Sequence, residues 1–138
     1  MNDLTIILLA GVCFYLLDIA THTKRYEWCW NIPSQTSLLL HHIYFVFAFF
    51  GFLASDKHVL TIYVLLVIIS LLHWQQNGDH CAWTQQLNDE CRTSGGLRTI
   101  FSYVSIGGQG SQKTFRKYQK LWYIVGALIA LNKLSNTS

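Results

Sequence analysis

Three stretches of this chain are apolar almost without interruption. Leu4–Ala20 (LTIILLAGVCFYLLDIA) carries one charge, Asp18, whereas Leu38–Ala54 (LLLHHIYFVFAFFGFLA) and Val59–Trp74 (VLTIYVLLVIISLLHW) contain no Asp, Glu, Lys or Arg at all. As helices rising about 1.5 Å per residue they each reach roughly 25 Å, and flanking polar groups can bridge the remainder of a ~30 Å hydrocarbon core. A fourth block, Leu121–Leu131, reaches only about 17 Å unless it runs from Lys117 to Lys133 with its lysines snorkelling. Only 12 % of the 138 residues are charged and 51 % are apolar. A soluble domain carries about 25 % charge, so this chain has too little to coat a globule in water.

A bilayer offers the backbone no hydrogen-bond partners, which selects helices over open sheet. The expected fold is therefore all-α: an integral membrane bundle of four transmembrane helices in a single domain, residues 1–138. The spans are placed near 4–20, 38–54, 59–74 and 118–134, with loops at 21–37, 55–58 and 75–117. A short interfacial helix is expected between spans three and four, at Leu97–Ile106, where glycine pairs bracket an apolar piece too short to cross. Pro33 falls in the first loop on this reading. The first block is read as a retained span, because it has no basic leader, follows Asp3 and lacks a small-residue cleavage pattern.

Four crossings place the N-terminus, residues 55–58 and the C-terminus on one side, B, and both longer loops on the other, A. Side A then holds Lys24, Arg25, Arg92, Arg98, Lys113, Arg116, Lys117 and Lys120, against Lys57 and Lys133 on side B. The positive-inside rule assigns side A to the cytoplasm or its equivalent. Trp28, Trp30, Trp74, Trp83 and Trp122 fall just outside span ends on that side, at the expected depth of the headgroup layer.

The same topology gathers the metal-capable residues His22, His41, His42, His73, His80, Cys81 and Cys91 on side A, although they are far apart in sequence. Asp18 and His22, four residues apart, share a helix face, the arrangement of an oriented metal ligand or a proton relay. Adjacent His41 and His42 diverge by about 100° around a helix, so at most one points at His22 or His73. No cofactor is expected; zinc or haem are the groups such a cluster would take. The ligand spacing in HWQQNGDHCAWTQQLNDEC matches no familiar zinc motif, and a Cys81–Cys91 disulfide is the competing reading if the compartment is oxidising.

Lys113, Arg116, Lys117 and Lys120 interleave with aromatics just before the last span, as in strips that meet anionic headgroups or an acidic protein. No nucleophile elbow, P-loop or dinucleotide fingerprint occurs, and no folded nucleic-acid reader is present.

Several features together resemble a small four-span family of unknown function found in bacteria and large DNA viruses. They are the histidines opening span two (His41, His42) with Gly51 near its end, His73-Trp74 ending span three, and the pattern N-x-x-x-C-x-x-T at Asn77, Cys81 and Thr84, followed by a polar helix and a glycine-rich break. The likeness covers residues 38–110. Bacterial members carry Cys-Pro-Leu-Thr where this chain has Cys81-Ala82-Trp83-Thr84, which favours a divergent relative such as a viral one. The resemblance implies four spans and structural roles for Cys81 and Thr84, and it implies no reaction.

The leading expectation is a non-enzymatic membrane component of a larger assembly, such as a viral membrane or minor capsid protein, with protein partners on the basic, tryptophan-rich face. The alternatives are a metal- or haem-binding redox protein and a small oligomeric channel.

Overall fold

The computed structural model describes residues 2–21, 30–78, 80–90 and 112–136, with backbone alone at 88, 90 and 112–115. These residues are all-α: α1 (Asp3–Thr21), α2 (Ile32–Phe50), a 3-10 turn (Gly51–Leu53), α3 (Lys57–Gln76), α4 (Ala82–Glu90) and α5 (Gln112–Asn136). Three helical segments, Asp3–Thr21, Ile32–Leu53 and Lys57–Gln76, are long and apolar enough to cross a membrane.

Two of the expected boundaries move. Span two begins at Ile32 and not at residue 38, because Asn31 is its N-cap, accepting from the Ser34 N–H at 2.9 Å, and Pro33 sits in the first turn. Proline is pre-organised there and loses no helical hydrogen bond, so Asn-Ile-Pro is a helix start, not loop. His41 and His42 consequently lie about 14 Å inside α2 and not at its mouth. Likewise α5 begins at Gln112, so the basic approach belongs to the helix. The short helix described between α3 and α5 is α4; Leu97–Ile106 lies outside the described residues.

Helix α1 packs mainly on α2, and α3 packs mainly on α5. The principal core lies among α2, α3 and α5, with Ala48, Phe52, Leu60, Tyr63, Val67, Trp74 and Tyr123 buried together. A smaller cluster joins Leu38 of α2 to Leu87 of α4, flanked by Tyr15, Ile19 and Trp83. Large apolar side chains also face outward, Leu16, Ile69 and Leu128 each being more than half exposed. That distribution suits a hydrocarbon solvent.

The corner between α2 and α3 holds the bundle's B end. The last carbonyls of a helix have no intrahelical donors. Here α5 supplies them: Lys133 Nζ donates to the Phe52, Leu53 and Ala54 carbonyls at 3.1, 3.3 and 3.1 Å, and Trp122 Nε1 donates to the Phe49 carbonyl at 2.9 Å. Trp122 is thus tied to the B end of α2, a correction to its expected place in the side A belt. On the other flank, Asp3 of α1 accepts from the Ser55 N–H (2.6 Å), the Ser55 hydroxyl (3.0 Å) and the Asp56 N–H (3.0 Å). Asp56 in turn caps α3 by accepting from the His58 and Val59 N–H groups. Both termini of the described chain are therefore secured to residues 51–56.

Tyr63 wedges between helices where only glycine fits. A Cβ on Gly126 would stand 2.2 Å from the Tyr63 hydroxyl oxygen, and one on Gly51 would stand 2.5 Å from its ring. That hydroxyl is buried and has no hydrogen-bond partner among the described residues. Gly126→Ala should therefore destabilise the detergent-solubilised protein by about 1–3 kcal/mol, the usual range for overpacking. Tyr63→Phe should leave stability equal or higher and should reduce the penalty of Gly126→Ala, because it removes the nearest clashing atom; thermal unfolding of the two single variants and the double variant measures both effects.

Candidate functional site

The A end of the bundle is built from polar atoms that apolar helices carry inward. Asp18 projects from the last turn of α1 and meets His42 of α2, with Oδ2 3.2 Å from Nε2 and both side chains at most 2 % exposed. His42 Nδ1 lies 2.8 Å from the Leu38 carbonyl oxygen. A carbonyl can only accept, so Nδ1 carries a hydrogen and Nε2 is the nitrogen turned to the carboxylate. His42 Nε2 thus faces the carboxylate in a buried contact, without a hydrogen bond among the described residues. A second tie joins the same helices one turn nearer side B along α1, where the Tyr15 hydroxyl donates to Gln35 Oε1 at 2.8 Å. The Tyr15 ring stands edge-on to His42 at 6.0 Å.

His41 turns the other way, towards α4. Its Nε2 is 3.3 Å from the Thr84 hydroxyl, and its ring stands edge-on to Trp83 at 5.6 Å. Trp83 Nε1 donates to the Ser37 hydroxyl at 2.6 Å, which gives α4 a second bond to α2. The predicted divergence of the two histidines is what separates these roles.

Helix α3 fastens α4 from below. The α3 C-cap is Asn77, whose N–H donates to the His73 carbonyl, and Gly78 at φ +56° reverses the chain in the left-handed region that favours glycine. The Asn77 amide donates to the His80 carbonyl at 2.9 Å and to Gln85 Oε1 at 3.0 Å. His73 Nε2 accepts the Ala82 N–H at 3.2 Å, satisfying one of the open amides at the start of α4. Its lone pair is therefore engaged by this chain's own backbone.

A hydroxyl network runs across α2, α3 and α5. The Tyr44 and Ser70 hydroxyls are 2.7 Å apart, and Ser70 Oγ donates to the Leu66 carbonyl at 2.6 Å. Tyr44 also bonds Tyr123, whose hydroxyl accepts from Gln119 Nε2 at 3.2 Å. Tyr123 stacks on Trp74 with ring centroids 5.3 Å apart. Sequence reasoning missed this network. The available signal was Ser70, a hydroxyl in an otherwise aliphatic run, which must find a partner wherever it is buried.

The expected cluster is thus only partly assembled. Asp18, His42 and His41 come together, while His73 is committed to α4 and His80 is exposed. Cys81 is half-buried against the main core. His22 and Cys91, and with them the Asp18–His22 pair and the Cys81–Cys91 disulfide, lie outside the described residues. Asp18 meets His42 across a helix interface, a partner the local i, i+4 rule does not suggest. Among the described residues no group of three or more His, Cys, Asp or Glu side chains is arranged to hold a metal ion. Of the basic strip, Arg116 and Lys120 are half-buried and Lys117 is exposed, and the Lys113 side chain lies outside what is described.

This architecture defines a helical protein with three membrane-length apolar helices, closed at one end by a short helix held on polar ties. No protein family, curated protein or solved structure matches the chain.

If the Asp18–His42 contact is a helix tie, removing one partner and removing both should differ sharply. Asp18→Leu, which strands a buried imidazole, should cost about 3–5 kcal/mol, and Asp18→Leu/His42→Leu should recover most of that loss. Unfolding in detergent by heat or by SDS titration gives the comparison.

Proposed function

We propose that this chain is a four-crossing membrane protein serving as a non-enzymatic structural or anchoring component of a larger assembly, of the kind found in a virion membrane or beneath a capsid. The reading rests on one observation: α4 is tied to α2 and α3 by side-chain hydrogen bonds at the A end, while His41 Nδ1 and His42 Nε2 stay buried without a hydrogen bond among the described residues. His42 holds α1, His41, Ser37 and Trp83 hold α4 to α2, and His73 and Asn77 hold α4 to α3. A redox or hydrolytic centre needs ligands or nucleophiles left open to a substrate, whereas a mount needs a stiff surface.

The fourth crossing is α5. Its 25 residues extend about 37 Å, it packs along α3, and Lys133 pins its end to the corner that also receives α1. Side A faces the cytoplasm or its equivalent by the charge asymmetry of the sequence. The likeness to the four-span family belongs to this proposal: of its motif residues, Asn77 shapes the turn and Thr84 bonds His41.

Purification from native membranes in mild detergent should yield a complex of fixed stoichiometry larger than the lone chain, and the Asp18→Leu/His42→Leu variant should still enter it. Stoichiometric zinc, or a Soret band abolished by His41→Ala or His42→Ala, would replace this reading with a metal or haem protein. For topology, single cysteines at positions 117 and 136, towards the two ends of α5, in a cysteine-free background should react with an impermeant maleimide from opposite sides; labelling from the same side removes the fourth crossing.

A further inference from the structure

We propose that Arg116, Lys117 and Lys120 form a docking strip for the phosphate-bearing headgroups of anionic lipids in the leaflet at side A. The inference rests on the membrane reading above and adds a ligand to it.

Residues 112–136 contain no acidic side chain, and their basic ones are Lys113, Arg116, Lys117, Lys120 and Lys133. The two ends of α5 use their cations differently. Lys133 directs its ammonium at three carbonyls of residues 52–54, so it is a structural cap. Arg116 and Lys117 form no ion pair among the described residues.

Their depth follows from that anchor. Counting along α5 from Lys133, Lys120 lies about 20 Å and Arg116 about 26 Å towards side A. On α3, Trp74 lies about 26 Å from Lys57, and the Trp74–Tyr123 stack keeps the two helices in register. The strip therefore sits level with the A end of α3, where an apolar span gives way to headgroups.

Around the helix, Arg116, Lys120 and Lys117 cover an arc of about 100°, and Tyr118 and Leu121 stand beside it on the next arc of about 60°. Leu121 and Tyr118 are 56 % and 60 % exposed. A cationic arc beside an exposed apolar arc at this depth fits a phospholipid, with the phosphate on the guanidinium and ammonium groups and acyl chains against Leu121 and the Tyr118 ring. A soluble acidic protein would leave the apolar arc uncovered.

The test uses the full chain in neutral detergent, titrated with phosphatidylglycerol or phosphatidylcholine and read by native mass spectrometry. Wild type should retain phosphatidylglycerol preferentially. Arg116→Gln/Lys117→Gln should bind it on the order of twentyfold more weakly, at roughly fivefold per charge, with an unchanged unfolding temperature. The charge-conserving Arg116→Lys/Lys117→Arg variant should keep the preference and guards against a folding defect in the first pair. Lys133→Gln should lower the unfolding temperature while leaving lipid selectivity intact.

Equal retention of both lipids by wild type overturns the proposal, as does a full preference in Arg116→Gln/Lys117→Gln. Displacement of phosphatidylglycerol by equimolar inorganic phosphate assigns the strip to free phosphate, and tight polyglutamate binding without lipid selectivity assigns it to an acidic protein; either result also overturns it. Loss of selectivity with the native complex intact removes this inference alone, and a Soret band removes only the proposed function.

Discussion

The carbonyls that close α2 have no helical donors of their own, and in an apolar solvent no water replaces them. The chain answers from its far end, with Trp122 and Lys133 of α5 donating to Phe49 and to residues 52–54. Asp3 of α1 takes the opposite polarity, accepting from the N–H groups that follow at Ser55 and Asp56. One corner thus offers carbonyls to a cation and amides to an anion. Its charges secure the two outer helices against the α2–α3 hairpin, and the register of everything towards side A follows from it.

At the A end the same requirement is met by side chains. Aspartate, histidine, tryptophan and threonine each carry polar atoms into an interior that would penalise them alone, and each meets another element of the chain. The result is a short helix seated across four contacts, from His41, Ser37, His73 and Asn77, over a small apolar contact of Leu38 with Leu87.

Much of this was legible beforehand, where the signal was local. Apolar blocks of membrane length announced α1, α2 and α3, and the 100° offset of adjacent residues put His41 and His42 on different neighbours. The start of α2 is also local, written in Asn31 and Pro33, but it lies ahead of the apolar block that opens at residue 38. Trp122 misled for a related reason: indoles favour the headgroup layer on average, yet this one satisfies an open carbonyl on α2.

Sequence by itself determined the helical class and the presence of three helices long and apolar enough to cross a membrane, because those follow from how many apolar residues lie in a row and from the demand that backbone groups pair within a helix. Tertiary structure alone decided the partners. That Asp18 meets a histidine on α2 depends on the rotation and axial offset of two helices, and those are set by side-chain packing along the whole interface. For the same reason Ser70, Tyr44 and Tyr123 became one network: a buried hydroxyl predicts that a bond exists, and only the packed bundle says with which residue.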